Sequence, residues 1–161
     1  MRKVLMVDGH SIANRAFYGV PLLSNAQGIY TNAIYGFINI LLKNVDLENP
    51  THLAVAFDEK APTFRHQMYE DYKGTRKGMP EELRMQVPLI QELLRLAGIQ
   101  VITQEGIEAD DILGTIAKRE AAQGAEVAIL SGDRDLLQLA EPHLRILIPK
   151  TKKGGTETEI Y

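Results

Sequence analysis

The sequence predicts an α/β domain: a doubly wound, mostly parallel sheet with helices on both faces. Three observations carry this. Short apolar runs recur along the chain, each closed by a polar or glycine-containing turn. Helical periodicities lie between them. The runs are apolar throughout rather than alternating, as strands covered on both faces must be, and parallel neighbours need crossovers of the kind those helices supply.

The first run, Val4-Leu5-Met6-Val7, ends at Asp8-Gly9 and reads as a buried strand followed by a turn. Ala33 to Leu47 then repeats apolar residues at helical spacing through Ile34, Phe37, Ile38, Leu41, Leu42 and Val45. Leu53 to Phe57, before Asp58, is the second strand. Pro80-Glu81-Glu82 places proline and acids where a helix begins, Leu83, Val87, Ile90, Leu94 and Ala97 mark its face, and Gly98 ends it. Pro88 inside that stretch predicts a kink or a restart. Ile99 to Ile102 is a third strand, and Glu108 to Gln123, stopped by Gly124, a helix buried through Ile112, Leu113, Ile116 and Ala117. Val127 to Leu130 is the fourth strand, a short helix is expected from Arg134 to Leu139, and Leu144 to Ile148 is the last strand of the series. Lys150 to Tyr161, with Lys152-Lys153-Gly154-Gly155 at its centre, looks like a hairpin returning from it. The long polar insertion, about 59–79, separates the second strand from its helix, and residues 1–161 read as a single domain.

Composition narrows the function. The chain has 161 residues, 18 Lys+Arg against 21 Asp+Glu, a formal charge of -3 and no cysteine. Disulfide scaffolds, thiolate zinc sites, iron–sulfur clusters and thiol nucleophiles are thereby excluded, and a reducing cytoplasm is the expected location. No apolar run approaches the roughly 18 residues of a membrane span, and only four apolar residues follow the basic start before Asp8, so no secretory signal or membrane association is expected.

The position of the acids says more than their number. In open α/β sheets the ligand crevice lies beyond the carboxyl ends of the strands. Asp8 ends the first strand, Asp58 follows the second, Glu108, Asp110 and Asp111 open the helix after the third, and Asp133 and Asp135 follow the fourth. Each has an ordinary local use: a turn, a helix N-terminus, a cap. Together they would repel unless cations neutralised them. An all-oxygen set suits hard ions, and seven carboxylates suit two Mg2+, with Mn2+ an expected substitute. Two such ions serve in-line phosphodiester hydrolysis without a side-chain nucleophile. His10, His52, His66 and His143 are scattered, with His10 assigned a helix-start role. Ser11 and Ser131 lack a His/Asp triad, and no phosphate-binding glycine loop is present.

Setting the seven acids aside leaves 14 acids against 18 bases, so the remaining scaffold is mildly basic. The insertion concentrates Lys60, Arg65, Lys73, Arg76 and Lys77 with Phe64, Tyr69 and Tyr72. Cationic side chains neutralise phosphates and aromatic rings stack on unpaired bases, although such mixed loops also occur as plain solvated surface.

Val7-Asp8-Gly9-His10, Ala56-Phe57-Asp58, Phe64-Arg65, Tyr72-Lys73-Gly74-Thr75-Arg76, Glu108-Ala109-Asp110-Asp111 and Ser131-Gly132-Asp133-Arg134-Asp135-Leu136, in that order and spacing, closely resemble the 5' nuclease domain of bacterial DNA polymerase I, within the flap endonuclease family. The resemblance runs from about Lys3 to Tyr161. It implies a PIN-like catalytic fold and a structure-specific nuclease, both 5'-3' exonuclease and 5'-flap endonuclease, serving DNA replication and repair. It implies Asp8, Asp58, Glu108 and Asp110 as the group for a first metal, and Asp111, Asp133 and Asp135 as the contribution to a second, with Asp110 shared. Lys73 and Arg76 resemble catalytic basic residues of the family's helical arch, with Tyr72 as a stacking neighbour. Arg15 and Arg65 are implied as further phosphate contacts, although Arg15 would equally suit a structural ion pair. The implied partners are DNA with a 5' flap or 5' end and an RNA primer in an RNA/DNA hybrid, in the bacterial nucleoid.

The family continues with two further metal-binding aspartates and a helical motif that grips duplex DNA, neither present before Tyr161. The expectation is therefore a portion of a longer chain, covalently continuous with polymerase domains and weakly active or inactive alone. Two other readings share part of the pattern. A PIN-like ribonuclease has the sheet and acids but little reason for the insertion, and a non-catalytic metal- and DNA-binding fragment differs only in turnover. A phospho-receiver reading of Asp8 and Asp58 leaves the later acids unused.

Overall fold

A computed structural model describes residues 2–58, 79–103, 109–152 and 155–161. The insertion lies outside the described residues except for its last residue, Met79. Six strands form one sheet: β1 (Lys3–Asp8), β2 (His52–Ala56), β3 (Gln100–Ile102), β4 (Glu126–Leu130), β5 (Leu144–Lys152) and β6 (Gly155–Ile160). Their order is β3-β2-β1-β4-β5-β6. The first five run parallel, and β6 returns antiparallel beside β5 as the hairpin predicts. The chain steps outward from β1 to β2 and β3, then crosses to β4 on the other side. The reversal point of the winding therefore falls between β1 and β4, where such sheets open a crevice.

The alternation of side chains along each strand divides the core in two. Leu5, Val7, Val55, Ala128, Leu130 and Leu147 face one side. There they meet Ile12, Ala13 and Ala16 of α1 (Gly9–Gly19), Phe37 and Leu41 of α2 (Asn32–Glu48), and Ile90 and Leu94 of α4 (Gln86–Leu96). Val4, Met6, Ala54, Val127, Ile129 and Ile146 face the other, against Ile112, Leu113 and Ala117 of α5 (Ala109–Ala122) and Leu136 of a 3-10 helix (Arg134–Leu139). Because both faces are apolar, slipping a strand by one residue would still bury apolar groups. Its polar ends, Lys3 and Asp8 for β1, supply what the interior pattern cannot.

Two elements differ from the sequence reading for local reasons. Asp8-Gly9 is no turn: β1 passes directly into α1, with Asp8 as N-cap accepting the Ser11 N–H. Any Cβ at Gly9 would lie 2.5 Å from the Phe57 ring, so only glycine lets the helix start this close to the sheet. The α2 approach is comparably tight, with a Cβ at Gly36 falling 2.8 Å from that of Ala16. Second, the restart predicted at Pro88 falls at Met85, which ends α3 (Glu81–Arg84) and begins α4. Pro88 thus occupies the first turn of α4, where backbone N–H groups have no helical acceptor and a missing one costs nothing.

Buried amides tie this region to the rest. Thr31 makes no side-chain cap on α2, and Gln86 replaces it, its Oε1 accepting the Ala33 and Ile34 N–H groups at 2.8 and 3.1 Å. Gln86 Nε2 donates to Asn32 Oδ1 and the Glu82 carbonyl, while Asn32 Nδ2 donates to the Phe17 and Val20 carbonyls. The end of α1, the start of α2 and the α3–α4 junction thereby share one set of satisfied bonds. Among the described residues, no helix is long and apolar enough to cross a membrane.

Candidate metal and nucleic-acid site

The carboxyl end of the sheet collects acids as the sequence predicts. Asp8 is 6% exposed at the end of β1. Its Oδ2 accepts the Ser131 hydroxyl at 2.9 Å and its Oδ1 the Ser11 N–H at 3.4 Å. Burial pushes the Asp8 carboxyl up to about 6; the bonds from Ser131 and Ser11 oppose that rise, and the charges of Asp58 and Asp110 add to it.

Asp58 lies just beyond β2 and spans two elements. Its Oδ1 accepts the Ala109 N–H at 2.5 Å, holding the first turn of α5, and its Oδ2 lies 3.8 Å from His10 Nδ1. His10 Nδ1 accepts the Asp58 N–H at 3.0 Å, which requires the Nε2–H tautomer. Burial lowers the His10 pKa despite the Asp58 charge, and the ring packs edge-on against Phe57. His10 is thus a neutral helix-start residue, the role the sequence assigns it. It supplies no counter-charge to Asp58.

Asp110 stands in the first turn of α5, and its Oδ1 accepts the Asp111 N–H at 3.1 Å. Asp111 is exposed. After β4, Asp133 is the N-cap of the 3-10 helix: its Oδ1 accepts the Asp135 N–H at 2.9 Å and its own N–H donates to Ser131 Oγ at 3.0 Å. Asp135 is exposed. The structure therefore brings Asp8, Asp58 and Asp110 into electrostatic range, links Asp133 to Asp8 through Ser131, and leaves Asp111 and Asp135 facing solvent. Glu108, Arg65, Tyr72, Lys73 and Arg76 lie outside the described residues. As the side chains stand, no three acids or imidazoles among the described residues form a group that could hold a metal ion. The donor chemistry nonetheless fits a hard cation: oxygen ligands only, on converging strand ends, with an acid whose ionisation burial penalises.

Arg15 lies one turn beyond Ser11 on α1. With Ser11, Asn14, Tyr18, Gly19 and Gly132 it lines an open cleft of about 390 Å³ beside the acids. Among the described residues no carboxylate pairs with it, so the structural ion pair that would equally have explained this arginine is absent there. A Cβ on Gly132 would lie 3.0 Å from both Arg15 Nε and Ser11 Oγ, so glycine is what allows this approach.

Two serines complete the site in a way sequence reasoning missed. Ser11 and Ser131, for which the sequence offers no His/Asp triad, act as hydrogen-bond bridges. The Gly132 N–H donates to Ser11 Oγ at 2.7 Å, stitching the loop after β4 to α1. Partners this far apart in sequence leave no local signal.

Comparison with known proteins decides the family. The model of the 5'-3' exonuclease, N-terminal resolvase-like domain, matches residues 3–161. The chain belongs to the 5'-3' exonuclease family. Over 160 residues it is 51% identical to a DNA polymerase I of Bacillus caldotenax, covering 99% of this chain and 18% of that protein. It is 38% identical over 160 residues to a 5'-3' exonuclease of Aquifex aeolicus, covering 99% of this chain and 55% of that one. A bacteriophage T5 flap endonuclease solved with DNA and metal ions shares the fold, with a TM-score of 0.64 at 18% identity over 91% of this chain and 55% of the other. This exonuclease-family chain thus spans about a fifth of the polymerases' length and about half of the standalone exonuclease's.

Proposed function

We propose that this chain carries the acidic centre of a divalent-metal-dependent 5' nuclease that hydrolyses DNA at 5' ends and 5' flaps, as the amino-terminal part of a cytoplasmic bacterial DNA polymerase I. The observation that carries the reading is Asp8. A carboxylate buried at the reversal point of the sheet, raised by burial and by two neighbouring acids, is costly to the fold and would be relieved by a bound cation.

Asp8, Asp58 and Asp110 would hold a first cation together with Glu108, while Asp133, reached through Ser131, would contribute to a second with Asp111 and Asp135. Mg2+ is the proposed ion and Mn2+ its substitute; when bound, such ions lower the pKa of water and offset the charge of the phosphodiester under attack. The protein's own share is positioning. β1, β2 and β4 end at one level, Asp58 fixes the start of α5 through Ala109, and Asp133 is set by the 3-10 helix it caps. Arg15, whose fork of donors meets no carboxylate among the described residues, would hold a backbone phosphate across the cleft, and Lys73, Arg76, Tyr72 and Arg65 are proposed to contact substrate.

The test is cleavage of end-labelled 5'-flap DNA, with an RNA-primed duplex in parallel, in Mg2+ or Mn2+. It is run with this chain and with a longer chain that adds a relative's downstream residues. Metal-dependent 5' products that vanish in Asp58→Ala and Asp133→Ala are expected. Cleavage surviving either substitution in the longer chain would overturn the assignment of the acids.

A further inference from the structure

Resting on that reading of the acids, we propose that Ser131 is a positioning residue of the centre, whose single hydroxyl sets both the orientation of Asp8 and the start of the loop that presents Asp133 and Asp135. Ser131 is fully buried at the end of β4, beside β1. Three polar groups surround its oxygen: Asp8 Oδ2 at 2.9 Å, the Asp133 N–H at 3.0 Å and Ser11 Oγ at 3.4 Å. A backbone N–H can only donate, so Asp133 occupies a lone pair of the hydroxyl. The one hydroxyl proton is then directed to its nearest acceptor, Asp8 Oδ2. Ser11 can complete the set by donating to the remaining lone pair.

Without that proton Asp8 would keep only the long bond from the Ser11 N–H, and the carboxylate could turn about its last torsion. Without the lone pair the half-buried Asp133 N–H would lose its acceptor, and the loop would lose the point from which Asp133 caps the 3-10 helix. One hydroxyl therefore couples an acid at residue 8 to acids after residue 130. Groups that orient ligands commonly change metal affinity by about 10–100-fold when removed.

A merely satisfied core serine would show itself in stability alone. The decisive measurement is Mn2+ affinity, by electron paramagnetic resonance of the free ion, on the full chain at a temperature well below unfolding. Wild type, Ser131→Ala, Ser131→Thr and Asp8→Asn are compared, with the thermal midpoint of each recorded separately. Ser131→Cys replaces the alanine variant if that one does not fold, since a thiol keeps the volume while bonding weakly. The expected result is a loss of affinity of about tenfold or more in Ser131→Ala, with rescue by the hydroxyl of Ser131→Thr. Wild-type affinity in folded Ser131→Ala or Ser131→Cys, while Asp8→Asn has lost binding, would overturn the positioning role alone. Equal losses in the alanine and threonine variants would also overturn it, because the hydroxyl would then not be what matters. Mn2+ binding that is absent from wild type, or indifferent to Asp8→Asn, would instead overturn the metal reading on which this rests.

Discussion

The two ends of the same sheet bury carboxylates in opposite ways. At the amino end, Glu48 is as buried as Asp8, but Lys3 Nζ lies 3.3 Å away and Arg145 3.1 Å away. Glu120 meets Arg2 at 3.1 Å, and Glu126 is paired with His143. At the carboxyl end, the charged neighbours of Asp8 among the described residues are Asp58 and Asp110, and Asp58 faces a neutral imidazole. At the amino end the chain brings its own counter-ions from other elements. Among the described residues Asp8 has no such partner, and burial together with Asp58 and Asp110 raises its carboxyl.

Removing the uncompensated charge should produce the largest effect. Asp8→Asn is expected to reduce flap cleavage to background and yet to stabilise the metal-free protein near neutral pH. The sign follows from Asp8 itself: its folded pKa of about 6 lies above the ordinary aspartate value of 3.8. As pH rises from about 4 to about 6 the unfolded chain ionises first, so wild type loses stability across that window, by up to about 3 kcal/mol, and stays lower above it. Urea unfolding of both proteins at pH 4 and pH 8 checks this; an advantage of the variant that fails to grow with pH would contradict it. Mg2+ should recover stability in wild type at pH 8 and little in the variant.

The opposite end should respond in the opposite sense. Glu48→Ala takes the counter-charge from Lys3 and Arg145, which are about one-third exposed and can partly rehydrate, so a loss of about 1–3 kcal/mol is expected rather than the full cost of a buried orphan. Cleavage per folded molecule should not change, which separates this variant from Asp8→Asn. Gly132→Ala is a smaller perturbation: its Cβ would press on Arg15 and Ser11, and weaker flap binding with little change in thermal midpoint is expected by fluorescence anisotropy. The smallest effect belongs to His143, held at φ 72. Relieving that backbone with His143→Gly should outweigh the lost pairing with Glu126 and stabilise by about 0.5 kcal/mol in the same urea assay.

What the sequence reveals and what it hides follow from how local the cause is. The strands are legible because a continuous apolar run closed by polar residues fits little besides a buried strand, and Asp8 and Asp58 because a strand end has a fixed place in this architecture. The helix α1 leaves almost no trace: Gly9-His10-Ser11 resembles turn material, and its buried face is mostly small, Ala13 and Ala16 beside Ile12. The early restart of α4 is hidden because Pro88 marks where a helix cannot continue, not where it begins. Ser131 and Glu48 escape on different grounds, since their partners lie in strands and helices far along the chain.

The Gln86 and Asn32 amides carry a practical corollary for protein engineering. Together with the Asp58 contacts to His10 and Ala109, they fasten the chain on either side of residues 59–78. Anchors of this kind tolerate a change in the length of chain between them, since loop-closure entropy rises by only about 0.6 kcal/mol for each doubling of length.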